Sequence, residues 1–238
     1  MTPSTRDGRR MAILAIDSAT RQVVVATGSR DGRIDGLTTW AAGYRHGETL
    51  LPTIGRVLAE QNIRRSRLTG IVIGTGPGAF TGLRVGLATA KGIAHGLGLP
   101  IVGISTAQAL LVAAAADGGT LIDEPAGAFV LLLPAGPSDR IMARAGVPPT
   151  LLPAGHEPDL TAGETLVAID LDGRADQDAL SRGEVARAGL GAALIALGAA
   201  RLSSGDLDDL AGLVREYVTL PRGVLADSGE VSWSHDRR

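Results

Sequence analysis

Gly74-Thr75-Gly76-Pro77-Gly78-Ala79-Phe80-Thr81-Gly82-Leu83-Arg84 forms a glycine-dense turn between an apolar run at residues 70–74 and a long stretch of small residues beyond it. Glycine accepts positive φ and Pro77 holds φ near one value, so the turn follows a fixed path suited to close approach. A phosphate, a partner helix or a neighbouring strand of the same chain could be what approaches. A Walker loop needs Gly, four residues and Gly-Lys-Ser/Thr, whereas five residues separate Gly76 from Gly82 and Leu83 follows. That spacing fails. A dinucleotide fingerprint built on Gly76 and Gly78 needs a third glycine where Thr81 stands, and residues 91–121 hold Asp117 as their one acidic residue. The fit is poor, which favours a tight strand-to-helix connection.

Outward from the turn, the N-terminal half alternates in the manner of β and α units. Apolar or β-branched runs at residues 12–16, 21–27 and 33–40 predict three strands joined by tight turns. Residues 48–61 predict a helix with Leu50, Ile54, Val57 and Leu58 on one face and Pro52 near its start. A strand at 70–74, the glycine turn, a helix at 82–97, a strand at 100–104 and a helix at 106–116 complete a parallel-sheet pattern. Downstream, residues 117–125 read as a loop, 128–133 and 140–145 as paired strands, 148–160 as proline-rich and irregular, and 166–169 as a short strand. The alanine-rich stretch 184–202 reads as a helix whose interior glycines cost about 1 kcal/mol each relative to alanine. No internal repeat is visible. The expected division is a disordered tail at 1–10, a first lobe at 11–116, a second at 117–226 and a frayed end at 227–238.

The helix at 82–97 has an unusually broad small-residue sector. At about 100° per residue, Leu83, Gly86, Ala90, Ile93 and Leu97 share one face, with Gly82, Val85, Thr89, Gly92 and Gly96 beside it. Arg84, Leu87, Lys91 and His95 lie opposite. That sector is roughly twice the ~100° stripe a helix needs to bury against its own core. Either both halves are covered within the chain, or the glycine-rich half lets a second helix come close.

Composition narrows the functional classes. The chain has 238 residues, 45% of them hydrophobic, which supports one large core or two modest ones. Its 23 basic and 25 acidic residues give a net charge of −2, against strong free-standing RNA binding. The absence of cysteine removes thiolate nucleophiles, disulfides and thiolate metal sites. The uncharged run 96–116 is long enough for a membrane span, but Gly98, Pro100 and Gly103 break its first half and Ser105, Thr106 and Gln108 make it polar, so no membrane partner is expected.

Few polar residues form a catalytic pattern. His46, His95, His156 and His235 are scattered without metal-ligand spacing. Ser105 sits at a strand-to-helix turn, yet Ser105 with Gln108 three residues on spells a capping box and the closing glycine of a nucleophile elbow is missing. Asp17 ends an apolar strand before Ser18 and Thr20, either facing phosphates and magnesium or bonding the amides of its own turn. With Thr20, Gly76 and Gly78 it forms the candidate nucleotide-binding set.

The glycine turn, Leu14-Ala15-Ile16-Asp17-Ser18-Ala19-Thr20 upstream, the run from Ala90-Lys91-Gly92 to Gly103-Ile104-Ser105-Thr106, and His46-Gly47-Glu48-Thr49-Leu50-Leu51-Pro52 together resemble the TsaB family of bacterial tRNA threonylcarbamoyladenosine biosynthesis proteins. The resemblance is strong over residues 11–112 and faint beyond. It implies an α/β, two-lobed actin-like fold of the sugar kinase, Hsp70 and actin type, each lobe a mixed sheet flanked by helices. It implies a cytoplasmic, non-catalytic scaffold that pairs with TsaD, the subunit that transfers threonylcarbamoyl to adenosine 37 of tRNA. TsaE is a further implied partner, a homodimer forms when TsaD is absent, and tRNA is met through the complex. No cofactor is expected on this chain alone, with ATP or ADP possible at the complex interface.

The family pairs through its first two helices, which here places Leu50, Ile54, Val57, Gly82, Val85, Gly86, Thr89, Gly92, Ile93 and Gly96 at the partner interface. The metal-binding His-x-x-x-His of the catalytic relative aligns with Thr106 and Leu110, neither of which replaces imidazole. The family's Asp-Ala-Arg-x-Gly-Glu-Val-Tyr pattern is also missing, Leu133-Pro134-Ala135-Gly136-Pro137-Ser138-Asp139 standing in its place. The competing class is an independent actin-like kinase or ATPase, or a glycoprotease-group hydrolase, which would turn over substrate by itself.

Overall fold

A computed structural model describes residues 11–41, 43, 46–116, 128–216 and 218. The two expected tails, the loop at 117–125 and the lobe boundary drawn there lie outside the described residues. Strands β1 (Ala12–Asp17), β2 (Gln22–Gly28), β3 (Ile34–Ala41), β4 (Leu68–Gly74) and β5 (Ile101–Ile104) form one sheet in the order β3-β2-β1-β4-β5. β1 is antiparallel to β2 and parallel to β4. It is buried along its whole length, as an uninterrupted apolar strand must be when helices cover both faces. On one face lie α1 (His46–Glu60) and α2 (Phe80–Leu97), whose apolar residues share a core with Leu14, Ile16, Val25 and Ile71.

The second sheet contains β6 (Phe129–Ala135), β7 (Asp139–Arg144), β8 (Val147–Leu152) and β9 (Thr165–Ala168) in the order β8-β7-β6-β9. Its first strand again pairs antiparallel with the next and parallel with the fourth, so the second sheet repeats the connectivity of the first without a fifth strand. Such doubling of a mixed sheet flanked by helices is the two-lobed α/β arrangement expected of the actin-like class. Within the stretch 148–160, expected to be irregular, residues up to Leu152 belong to the strand β8 (Val147–Leu152). Pro148 and Pro149 are tolerated there because β8 is an edge, where a missing amide breaks no inner ladder.

Between the sheets lie α3 (Thr106–Ala115) and α4 (Gln177–Ser204). One continuous core joins Ile13, Val24 and Val72 of the first sheet to Leu131, Ile141 and Val167 of the second through Leu110, Leu190 and Leu194. The glycines of α4 allow this fit. A methyl on Gly183 would overlap the Ala168 carbonyl, and one on Gly198 would overlap Val72, so the propensity lost at each is exchanged for close packing against both sheets. Asp176 caps this helix through the Ala179 amide at 2.7 Å. Beyond α4 the chain returns to the first sheet. Asp208 N donates to Ile101 O at 3.1 Å, its carboxylate accepts from Gly103 N at 2.7 Å, and Glu216 N donates to Thr75 O at 2.9 Å. Residues from the sequence-defined second lobe therefore cover the free edge of β5.

The run at 96–116 resolves into the end of α2, β5 and α3. Among the described residues, α4 alone has the length and apolarity of a membrane span, and half of its most apolar window is buried between the sheets.

Candidate functional site at the first two helices

The glycine turn closes upon the chain itself. Gly76 has φ of +99°, and the Gly76–Pro77 peptide is cis. The amide of Gly76 donates to Thr106 Oγ1 at 3.0 Å, Thr106 N donates back to Gly76 O at 2.7 Å, and Ala79 N donates to Ala19 O at 2.6 Å. A Cβ on Gly78 would overlap the Ala19 carbonyl. Neighbouring backbone of the same chain packs closely against this turn.

Asp17 is buried at the centre of this knot. Its carboxylate accepts from Ala19 N at 2.8 Å and from Thr106 Oγ1 at 2.7 Å. Burial pushes its carboxyl up to about 6, against the opposing pull of these two donors. Thr20 is likewise buried, donating to Gln22 O at 2.9 Å. Asp17, Thr20 and Gly76 of the candidate nucleotide set are thus bonded internally, and Gly78 lines a cavity. That cavity, about 450 Å³, separates the lobes and is also lined by Arg21, Phe80, Leu83, Asp170 and Glu216. The Arg84 guanidinium stacks 3.7 Å over the Phe80 ring beside it.

Ser105 caps α3 by accepting from Gln108 N at 3.5 Å and donates to Glu216 Oε2 at 2.7 Å. Gln108 does not complete the reciprocal box. Its side chain donates to Arg144 O at 2.9 Å and accepts from Gly146 N at 3.2 Å, tying α3 to the β7–β8 turn. Burial raises the Glu216 carboxyl. The residues aligned with the relative's metal ligands do not fit a metal, because the Thr106 hydroxyl is committed to Asp17 and Leu110 is a buried hydrocarbon. Among the described residues, no three His, Cys, Asp or Glu side chains cluster as a metal site.

The predicted partner interface divides in two. Leu50, Ile54 and Val57 form the buried stripe of α1, and Gly82 and Gly86 are buried where α2 crosses β1. Ser18 Oγ donates to Gly82 O at 2.8 Å, and a Cβ on Gly86 would overlap that hydroxyl. Leu50, Val57, Gly82 and Gly86 are therefore internal, a correction to their expected place on the partner surface, whereas Ile54 lines the groove between the two helices. Val85, Thr89 and Ile93 are half-buried, while Gly92 and Gly96 are exposed with open space before them.

A groove of about 320 Å³ runs between α1 and α2, bordered by Leu51, Gly55, Gly92, Ile93, Gly96 and Leu97. Leu51 is 58% exposed and Leu97 39%. Sequence reasoning did not assign Leu51, Gly55 or Leu97 to the interface. For Leu51 and Gly55 the signal was their helical spacing on α1, beside the buried stripe.

Two doubled mixed sheets, with an open apolar groove between the first two helices, define the protein class. The chain belongs to the TsaD family, whose model, described as tRNA N6-adenosine threonylcarbamoyltransferase, matches residues 14–161. It is similar to the tRNA threonylcarbamoyladenosine biosynthesis protein TsaB of Escherichia coli, at 35% identity over 40% of this chain and 41% of that protein. TsaB of Haemophilus influenzae is 33% identical over 44% of each chain, and an uncharacterised Mycobacterium leprae protein 37% identical over 44% of this chain and 30% of that one. The chain thus spans less than half the length of the curated relatives it matches. In fold it is similar to YeaZ from Pseudomonas aeruginosa, with a TM-score of 0.65 at 19% identity over 87% of this chain and 99% of that structure.

Proposed function

We propose that this chain is a non-catalytic scaffold subunit in the synthesis of threonylcarbamoyladenosine in tRNA, pairing with a TsaD-type transferase through the groove between α1 and α2. The observation that carries the reading is the open sector of this helix pair. Gly55, Gly92 and Gly96 meet nothing where a side chain would be, and Leu51 and Leu97 stand exposed beside them. Missing side chains let a second helix approach at backbone distance, and the exposed leucines gain burial when it does. The same surface serves a homodimer when the transferase is absent, and TsaE joins the paired subunits.

The chemistry belongs to the partner in this reading. Thr106 and Leu110 offer no imidazole and Asp17 is enclosed, so among the described residues nothing stands ready to hold a metal or activate a carbamoyl donor. ATP or ADP, where the assembly uses it, sits at the subunit boundary. Reconstitution in vitro tests the reading: the transferase with its carbamoyl-adenylate donor and unmodified tRNA should produce the modified nucleoside, read by mass spectrometry, only when this chain is added. Equal product without it, or turnover of ATP, a sugar or a peptide by this chain alone, overturns the proposal.

A further inference from the structure

We infer that the arginine-rich end of the first sheet is a surface for the RNA phosphate backbone, deepening the proposed function and resting on it. The topology brings two turns together at this end. β1 starts at Ala12 opposite Leu68 of β4, and Ile13 pairs with Gly28 of β2, so the β2–β3 turn and the 3-10 turn Arg65–Arg67 flank the same strand end. Arg30 and Arg33 lie on the first turn; Arg64, Arg65 and Arg67 lie on or beside the second. Arg30 Nη2 donates to Thr69 O at 3.4 Å, which ties the first turn to the start of β4, just after the second.

Charge is left over on the second of these turns. Arg21, Arg56, Arg140, Arg144, Arg187 and Arg201 each pair with a carboxylate of the chain. Arg64, Arg65 and Arg67 have no carboxylate partner among the described residues, and nothing in their 3-10 turn is buried. The acids nearest in sequence on the neighbouring turn are already engaged: Asp31 accepts from the Ser29 hydroxyl, and Asp35 lies 3.9 Å from Arg33. Three arginines without a carboxylate partner among the described residues therefore lie together on a chain of net charge −2. Guanidinium forks on two turns suit the spaced phosphates of a nucleic-acid strand.

Arg65 also borders the helix groove, so the basic surface meets the edge of the proposed pairing face. RNA held across that edge would touch both subunits. This accommodates the overall charge, since the chain adds a few phosphate contacts to a shared surface and needs no strong RNA affinity alone. Because the assembly's substrate is a polyanion, RNA is a better occupant than an acidic protein segment.

The test titrates an unmodified tRNA transcript into the complex of this chain with a TsaD-type transferase over roughly 50–200 mM salt. Arg64→Ala/Arg67→Ala should weaken binding about tenfold at the low-salt end and flatten the log–log salt slope by about 2, with pairing unchanged. Arg64→Glu, a single exposed change, guards against misfolding of the double variant and should weaken binding likewise. An unaltered slope in an intact complex overturns the inference while the scaffold reading stands. Weakened pairing with unaltered tRNA binding assigns the arginines to an acidic protein surface and also overturns it. If no complex forms with the native chain, the scaffold reading fails, and the same titration of the isolated chain decides: no flattening in the variants overturns the inference.

Discussion

Thr106 Oγ1 donates to the buried Asp17 carboxylate at 2.7 Å while accepting from Gly76 N at 3.0 Å, so one hydroxyl joins the end of β1, the glycine turn and the start of α3. Gly74 makes room for it, since a Cβ there would overlap Asp17 Oδ2. The carboxylate that the sequence could place before a phosphate is instead a staple between three elements. An anion with two donors and no cation is costly to bury, and this cost gives the site a measurable signature.

Asp17 should make stability depend on pH in the direction opposite to a salt-bridged carboxylate. Its folded value of about 6 lies above the ordinary 3.8, so the folded state holds the proton more tightly than the unfolded chain. The penalty is absent below about pH 4, grows as pH rises to about 6 and stays constant above, reaching roughly 3 kcal/mol by the usual 1.4 kcal/mol per unit. Glu164 acts oppositely, because hydrogen bonding from Arg144 lowers its carboxyl to about 2 and that contribution is lost as pH falls. Comparison with Asp17→Asn isolates the first effect. In urea unfolding at pH 4 and 7.5, the variant should gain on the native chain by about 3 kcal/mol at the higher pH; parallel behaviour would show that Asp17 is charged at no cost.

Two glycines of α2 should separate folding from pairing. Gly86→Leu must displace Ser18 from its bond to Gly82 O, and such overpacking costs about 1–3 kcal/mol, read as a lowered Tm of the isolated chain. Gly96→Arg enters open space and replaces a poor helix former, so Tm should hold or rise while co-purification with the transferase falls at least tenfold. Loss of stability in Gly96→Arg, or unaltered pairing, would remove the groove from the interface.

Periodicity revealed β1, β2, β4, α2 and α3 to within a few residues because each carries an uninterrupted apolar or small-residue pattern. It could not show which half of the α2 sector is surplus. Gly86 and Gly96 look alike in sequence, and what separates them is Ser18, 68 positions before Gly86, reaching across from the end of β1. The repeated sheet was invisible for a related reason: backbone pairing asks only for apolar residues in strand-like runs, which β1 and β6 satisfy with different side chains. β8 was hidden by Pro148 and Pro149, whose edge position depends on a pairing with β7 that no local pattern encodes. The glycines of α4 read as weaknesses until the second surface against them was known.

Those glycines should be intolerant of ordinary helix-favouring substitution. Gly198→Val adds an isopropyl group where Val72 already fills the space, and Gly183→Ala drives a methyl into the Ala168 carbonyl. Helix propensity alone predicts a gain of up to about 1 kcal/mol for Gly183→Ala. Packing predicts a loss of about 1–3 kcal/mol at each site, measured by chemical denaturation. A gain at Gly183 would mean that α4 stands off the second sheet.

The isolated chain should not bind ATP through the glycine turn. A phosphate loop works by pointing free amides at its anion, but here Gly76 N is used by Thr106 Oγ1 and Ala79 N by Ala19 O, with Gly78 pressed against the Ala19 carbonyl. Opening the turn would also expose the bonds that hold Asp17. A ligand at 100 times its Kd stabilises the folded state by about 2.7 kcal/mol, which shifts Tm by roughly 5–10 °C in a protein of this size. Millimolar ATP with magnesium should therefore move the Tm of this chain by less than about 1 °C, whereas a shift of several degrees abolished by Gly78→Ala would show that the turn opens for phosphate. Because Asp17 and Thr106 lie behind the turn, such opening would have to break their hydrogen bond, and the pH dependence assigned to Asp17 would change in the presence of nucleotide.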